Sequence, residues 1–369
     1  MLKYSTFFLL DGGKHMDFVY RFPAVKGVQA TREYYIAMVP LKMIPKLFPE
    51  DEEYVPPEYR AQRKLNTTRI PVISKYILDN RNTYVFSALA ASIDGEFRFC
   101  LSEQVNLGIL EISMDAKLLI NDGQHRKAAI LEAIKEDESL LNETISVVFF
   151  QDQGLARSQQ MFTDLNKHAV KTSNSIAELY DSRDPLAVIT RNIVSQIKFL
   201  NAYTDKEKDI LGKYSSNLFT LSTFYNANKR ILRGGTFTKT GEEFLFNYWN
   251  GVCQNIQPWR DLQNHEVSKV DLRENYIVTQ SVIIQVFGRL GAFFFNNKRY
   301  QVNKYLPKLQ KVNWRRDCAD WKLRTIRANG RMINNEEAIT LTCNVLKKRL
   351  GLPLDEFEQG KERSFTDRM

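Results

Sequence analysis

Apolar and polar positions alternate with a two-residue period in the first half of the chain and shift to a 3.6-residue period in the second. Residues 17–22 (DFVYRF) and 33–39 (EYYIAMV) are rich in β-formers and predict strands, with a helix over 40–47. The opening residues 1–16 turn polar at once and lack a small-residue cleavage site, so they read as a first strand and not a signal peptide. Residues 49–60 (PEDEEYVPPEYR) read as an exposed loop, and a helical pattern then runs to Asn80, interrupted at Pro71. Residues 83–92 predict a strand, with Asp94-Gly95 as a hairpin turn into residues 96–100. A second hairpin is expected around Met114-Asp115, between strands at 107–112 and 117–120. A helix over 124–135, a buried strand over 145–150 and a helix over 155–167 complete a β-β-α-β-α progression.

Beyond this point Ser175 and Glu178 have capping-box spacing, and Asp184-Pro185 pairs an N-cap with a first-turn proline. Helical periodicity then dominates, over 185–200, 216–232, 242–256, 276–295 and 335–350. The expected fold is an α/β domain with a mixed sheet over residues 1–182, followed by an all-α domain over 183–354. Residues 355–369 read as a polar, frayed tail.

Composition adds bounds. The chain has 369 residues, 43% hydrophobic and 26% charged, which suits soluble folded domains. Its net charge of +9 favours an anionic partner. Cys100, Cys253, Cys318 and Cys343 form no CxxC pair, which argues against a disulfide framework, an iron–sulfur cluster or a local zinc site. No metal site, membrane span or P-loop is expected, and a cytoplasmic location fits.

The segment KLLINDGQHRKAAILEAI (117–134) holds the main candidate chemistry: a strand, a tight turn and the start of a helix. Backbone N–H groups of a first helical turn form an anion site, and Gly123 lets a ligand approach closely. His125 adds a titratable donor, Arg126 a bidentate phosphate-binding fork, and Gln124 an amide. Asp122 would repel an anion, so it either caps the helix, orients Arg126 or carries a metal. A strand–turn–helix junction also needs such residues without any ligand.

Further along, MFTDLNKHAVK (161–171) ends the next helix. If the buried strand before it runs parallel to the DGQHR strand, Asp164, Asn166, Lys167 and His168 reach the same sheet edge. Ordinary C-capping and an Asp164–Lys167 surface pair explain them equally well. Asp181, Arg183 and Asp184 read as caps, with a place lining the site as the alternative.

Residues 298–331 contain eleven Lys or Arg against two Asp, a surplus equal to the net charge of the whole chain. Lys298, Arg299, Arg315, Arg316, Lys322, Arg324, Arg327 and Arg331 are the candidate DNA contacts, with Lys229, Arg230 and Arg233 as an extension. Tyr300, Tyr305, Trp314 and Trp321 are interleaved; the Trp pair, seven apart, fits a core stripe better than a base-stacking platform.

Asp122-Gly123-Gln124-His125-Arg126 matches the motif that names the DndB-like DGQHR-domain family, and residues 161–191, 215–232 and 346–358 also resemble that family. The resemblance spans nearly the full length. It implies a ParB/sulfiredoxin-like first domain whose turn grips nucleotide phosphates. It further implies a place in bacterial DNA phosphorothioation, as a repressor binding double-stranded promoter DNA of the modification operon. Two alternatives stay open: a scaffold docked on other sulfur-modification proteins, or a nucleotide hydrolase coupled to DNA nicking. In the latter, ATP or another nucleotide with Mg2+ would be the cofactor, and Asp122, His125 and Arg126 would be catalytic.

Overall fold

The structure, a computed structural model, describes residues 18–49, 66–152, 154–167, 172–212, 214–233 and 237–368. The strand expected within 1–16 and nearly all of the acidic loop at 49–60 lie outside these residues. The chain divides into two compact units, residues 1–170 and 171–369.

The first unit runs β1 (Val19–Gln29), β2 (Arg32–Pro40), α1 (Ile44–Leu47), α2 (Ile70–Asp79), β3 (Leu89–Asp94), β4 (Phe97–Leu101), β5 (Leu107–Ser113), β6 (Lys117–Asp122), α3 (Gln124–Glu136), β7 (Thr144–Gln151) and α4 (Leu155–Lys167). Its strands form one mixed sheet in the order β4-β5-β1-β2-β7-β3-β6. β1 and β2 make a two-residue hairpin in which Ala30 and Thr31 both take positive φ, the geometry that suits strand twist. Pro71 sits in the first turn of α2, where a 3-10 turn at Thr67–Arg69 gives way to the α-helix. The expected strand at 83–92 begins only at Leu89, because residues 84–88 run as irregular chain.

Neither expected hairpin forms. β3 pairs with β6 and β4 with β5, so each supposed turn is a bend inside one long two-stranded ribbon. The pairing Asp94↔Lys117 precedes the bend and Phe97↔Ile112 follows it, while the reverse turn lies at residues 102–106. At the bend a Cβ on Gly95 would stand 2.8 Å from Ala116, and its φ is +140°, so glycine is required by both contact and conformation. One half of the ribbon pairs with β7 and the other with β1, so the sheet closes on itself. Phe22, Val39, Leu110, Ile112, Val147 and Phe149 fill its interior.

The second unit is helical: α5 (Asn174–Tyr180), α6 (Pro185–Gln196), α7 (Lys198–Tyr203), a short parallel pair β8 (Thr204–Asp205) and β9 (Phe219–Thr220), then α8 (Leu221–Leu232), α9 (Lys239–Asn255), α10 (Gln257–Gln263), α11 (Lys269–Asn275), α12 (Ser281–Asn296), α13 (Val302–Tyr305), α14 (Glu336–Leu350) and α15 (Glu356–Thr366). Its core is aromatic. Trp314 and Trp321 are buried and stacked on each other, with ring centroids 5.7 Å apart at an interplanar angle of 11°. They pack the core, as their spacing suggests, and are closed to bases. No helix among the described residues is long and apolar enough to cross a membrane.

Two local readings change. Ser173, not Ser175, caps α5, accepting from the Ile176 N–H. Ser175 is buried in the first turn, where its hydroxyl donates to the Lys208 carbonyl at 2.9 Å. The supposed frayed tail is α15, opened by a capping box in which Asp355 and Glu358 satisfy each other's backbone N–H. Glu358, Glu362 and Phe365 are buried there, so the segment is held by packing and ion pairs despite its polarity. Asp184 caps α6 with Pro185 behind it, as its sequence indicates.

Freed from capping, the Glu178 side chain is half-buried, with Oε2 enclosed, and faces Asp209 and Asp184. Burial first, then those two charges, push its carboxyl up to about 8. The folded state therefore keeps a proton that the unfolded chain releases near pH 4.5, so stability falls as pH rises from about 4.5 to about 8. Glu178→Gln is expected to flatten this fall and raise the urea midpoint near pH 8.5; equal midpoints for the two proteins at both ends of the window would refute it.

Candidate functional site

The DGQHR turn follows a bulge. Ala91 pairs with Ile120 and Ala90 with Asp122, leaving Asn121 as the extra residue at the end of β6. Asn121 is 1% exposed; its amide nitrogen donates to Ser92 Oγ at 2.6 Å and lies 3.0 Å from Met161 Sδ. Its Oδ1 is buried with no hydrogen-bond partner. Gly123 then takes φ +103°, and a Cβ there would stand 2.4 Å from Leu89 Cδ2. Glycine is forced twice over, by backbone and by space. Gly123 also N-caps α3 and brings no side-chain acceptor to its first turn.

Arg126 is not the free fork its exposed-looking position suggests. Its guanidinium donates to the carbonyls of Ser87 and Ala88, both at 2.7 Å, and to Ser87 Oγ. It also pairs with Asp122, one helical turn back. Of the three roles open to Asp122, orienting Arg126 is the one this geometry adopts. The pair clamps the irregular segment at 84–88 to the start of α3. The far end of that segment is tied by Tyr84 to Glu143 and by the Val85 N–H to Tyr76. Burial and the Glu143 hydrogen bond push the Tyr84 hydroxyl up to about 12, so it stays a donor. His125 Nε2 accepts the Asn66 N–H at 3.1 Å, and Gln124 lies half-buried beside it.

β7 runs parallel to β3, and β3 antiparallel to β6, so β7 opposes the DGQHR strand and the expected parallel arrangement fails. α4 nevertheless reaches the turn from its other end, through Met161 against Asn121. Asp164 sits one turn beyond Met161, exposed, accepting from Gln160 at 2.6 Å. Asn166 and Lys167 end α4, and His168 lies outside the described residues.

In the second unit the basic stretch sorts into engaged and free cations. Arg324 forks onto Glu362 at 2.6 and 3.0 Å, and Arg315 lies 3.6 Å from Asp317. Arg316 is half-buried, and its Nε is enclosed without an acceptor. Lys298, Arg299, Lys322, Arg327 and Arg331 are exposed and make no ion pair among the described residues. Lys229, Arg230 and Arg233 line a cleft whose described walls include nothing from residues 298–331. Arg289, in that same cleft, was not among the candidates; a lone arginine inside the apolar run of α12 is the signal that marks it. Among the described residues no group of three or more His, Cys, Asp or Glu is arranged to hold a metal ion.

A family model, DndB, described as DNA-sulfur modification-associated, matches residues 22–353. The chain belongs to the DndB family. No curated protein and no solved structure matches it significantly. DndB membership ties the protein to DNA sulfur modification, and the match includes both the DGQHR turn and the basic stretch. α15, with Glu358 and Glu362, follows the matched region.

Within this DndB chain, Arg126→Ala is expected to cost about 2 kcal/mol, from the loss of charged hydrogen bonds to two backbone carbonyls. Hydrogen exchange of the amides at 84–89 should accelerate more than elsewhere; uniform protection in the variant would show that the clamp is idle.

Proposed function

We propose that the protein is a DNA-binding regulatory component of a DNA sulfur-modification system, acting in the cytoplasm as a repressor on promoter DNA of the modification operon. The observation that carries this reading is the basic stretch, where nearly all of the chain's excess positive charge lies and most cations stand exposed without carboxylate partners. Such cations neutralise backbone phosphates and release counterions, which gives affinity without sequence readout. Trp314 and Trp321 belong to the core, so contact rests on charge and not on their stacking. Family membership supplies the biological setting.

A phosphate or nucleotide at the DGQHR turn fits this role as an effector, in the manner of a ParB-like domain. With Arg126 engaged, the groups that would grip it lie at the N-terminus of α3, where Gly123 brings no competing side-chain acceptor, with Gln124 beside them. Bound there, it shifts DNA affinity only as far as it prefers the DNA-competent state.

Replacing Lys322, Arg327 and Arg331 with Gln should weaken binding to any duplex. The slope of log affinity against log salt should fall by roughly one unit per lost phosphate contact. Fluorescence anisotropy at several salt concentrations reads both, and an unchanged slope would remove this stretch from the interface. Promoter duplex bound no more tightly than unrelated duplex would argue against the repressor role.

A further inference from the structure

We propose that the cleft between α8 and α12 binds a small anion carrying two or more phosphate groups, recognised through the phosphates and not through a base. The cleft encloses about 750 Å³, a size typical of small-ligand sites. α8 lines it along one face and α12 along another, where Ser281, Gln285 and Arg289 recur at helical spacing. The two helices are held close because Gly288 packs on Ala227, where a Cβ would come within 3.0 Å of backbone.

Four cations, Lys229, Arg230, Arg233 and Arg289, meet one carboxylate, Glu336, in the described lining. Arg230 forks onto Glu336 at 2.8 and 2.6 Å and is balanced. Arg289 donates to Glu358 at 3.2 Å, and Glu358 already takes Lys347 at 2.8 and 2.7 Å. Lys347 and Glu358 are 3% and 2% exposed, so this buried group holds two positive charges against one negative. Lys229 and Arg233 are exposed and have no ion pair among the described residues. The Nε donors of Arg230 and Arg289 are both buried without an acceptor. A multivalent oxyanion in the cleft would balance the charge, and arginine forks suit phosphate oxygens in pairs. None of the described lining residues is aromatic, so no platform for a base is present. No lining residue comes from the DGQHR turn or from residues 298–331, so the site stands independently of the function proposed above.

The test is calorimetric titration of the full-length protein with inorganic tripolyphosphate at low ionic strength, alongside orthophosphate, ATP and a short duplex. Saturable tripolyphosphate binding is expected, at least tenfold tighter than orthophosphate and within tenfold of ATP. Lys229→Gln with Arg233→Gln, both at exposed positions, should weaken it at least tenfold, while Lys322→Gln with Arg327→Gln should leave it unchanged. Absence of saturable binding, or equal affinity in the Lys229/Arg233 variant, overturns the proposal. ATP binding far more tightly than tripolyphosphate overturns recognition by phosphates alone. Loss of duplex binding without loss of tripolyphosphate binding in that variant assigns the cleft to DNA instead.

Discussion

The Arg126 guanidinium holds the first unit's candidate site in one piece. It gathers the end of β6, the first turn of α3 and the irregular chain before β3 around a single planar group. A planar fork with five donors in fixed directions serves two carbonyls and a carboxylate at once and holds all three in set positions. The glycine before it must take a positive φ, and the bulge at Asn121 sets where that glycine falls. The turn is therefore braced from both sides, and its arginine is committed to the fold.

The second unit follows a different constraint, a shortage of carboxylates. Glu358 and Glu362 each serve more than one cation, both from the helix that closes the chain. Breaking one such buried pair strands a charge in a poorly solvating interior, which makes α15 part of the fold and not an appendage. The same shortage leaves excess positive charge at two places, the exposed stretch and the α8–α12 cleft.

Much of the fold was legible along the chain. The mixture of strands and helices in the first half and of helices in the second was readable, and α3, β7, α4 and α14 were readable within a residue or two. The Asp184-Pro185 cap and the buried Trp pair were equally readable, because both depend on neighbours a few residues away. The capping box of α15 was present as Asp355 and Glu358 and was masked only by the polarity around it.

Local physics thus fixed which residues turn, cap and alternate, since those preferences act over one turn of helix or one pair of strand residues. Tertiary structure alone decided who pairs with whom. Asp94-Gly95 and Met114-Asp115 carry turn chemistry, yet they became bends because a longer ribbon pairs across them and its two halves join different strands. Likewise an arginine's charge is written in the sequence, but its freedom is not. Arg126 met carbonyls 38 and 39 residues earlier in the chain and Arg324 a carboxylate 38 residues later, whereas the side chains of Arg327 and Arg331 met no carboxylate among the described residues. Electrostatic partners are chosen by distance in space, which the order of residues does not state.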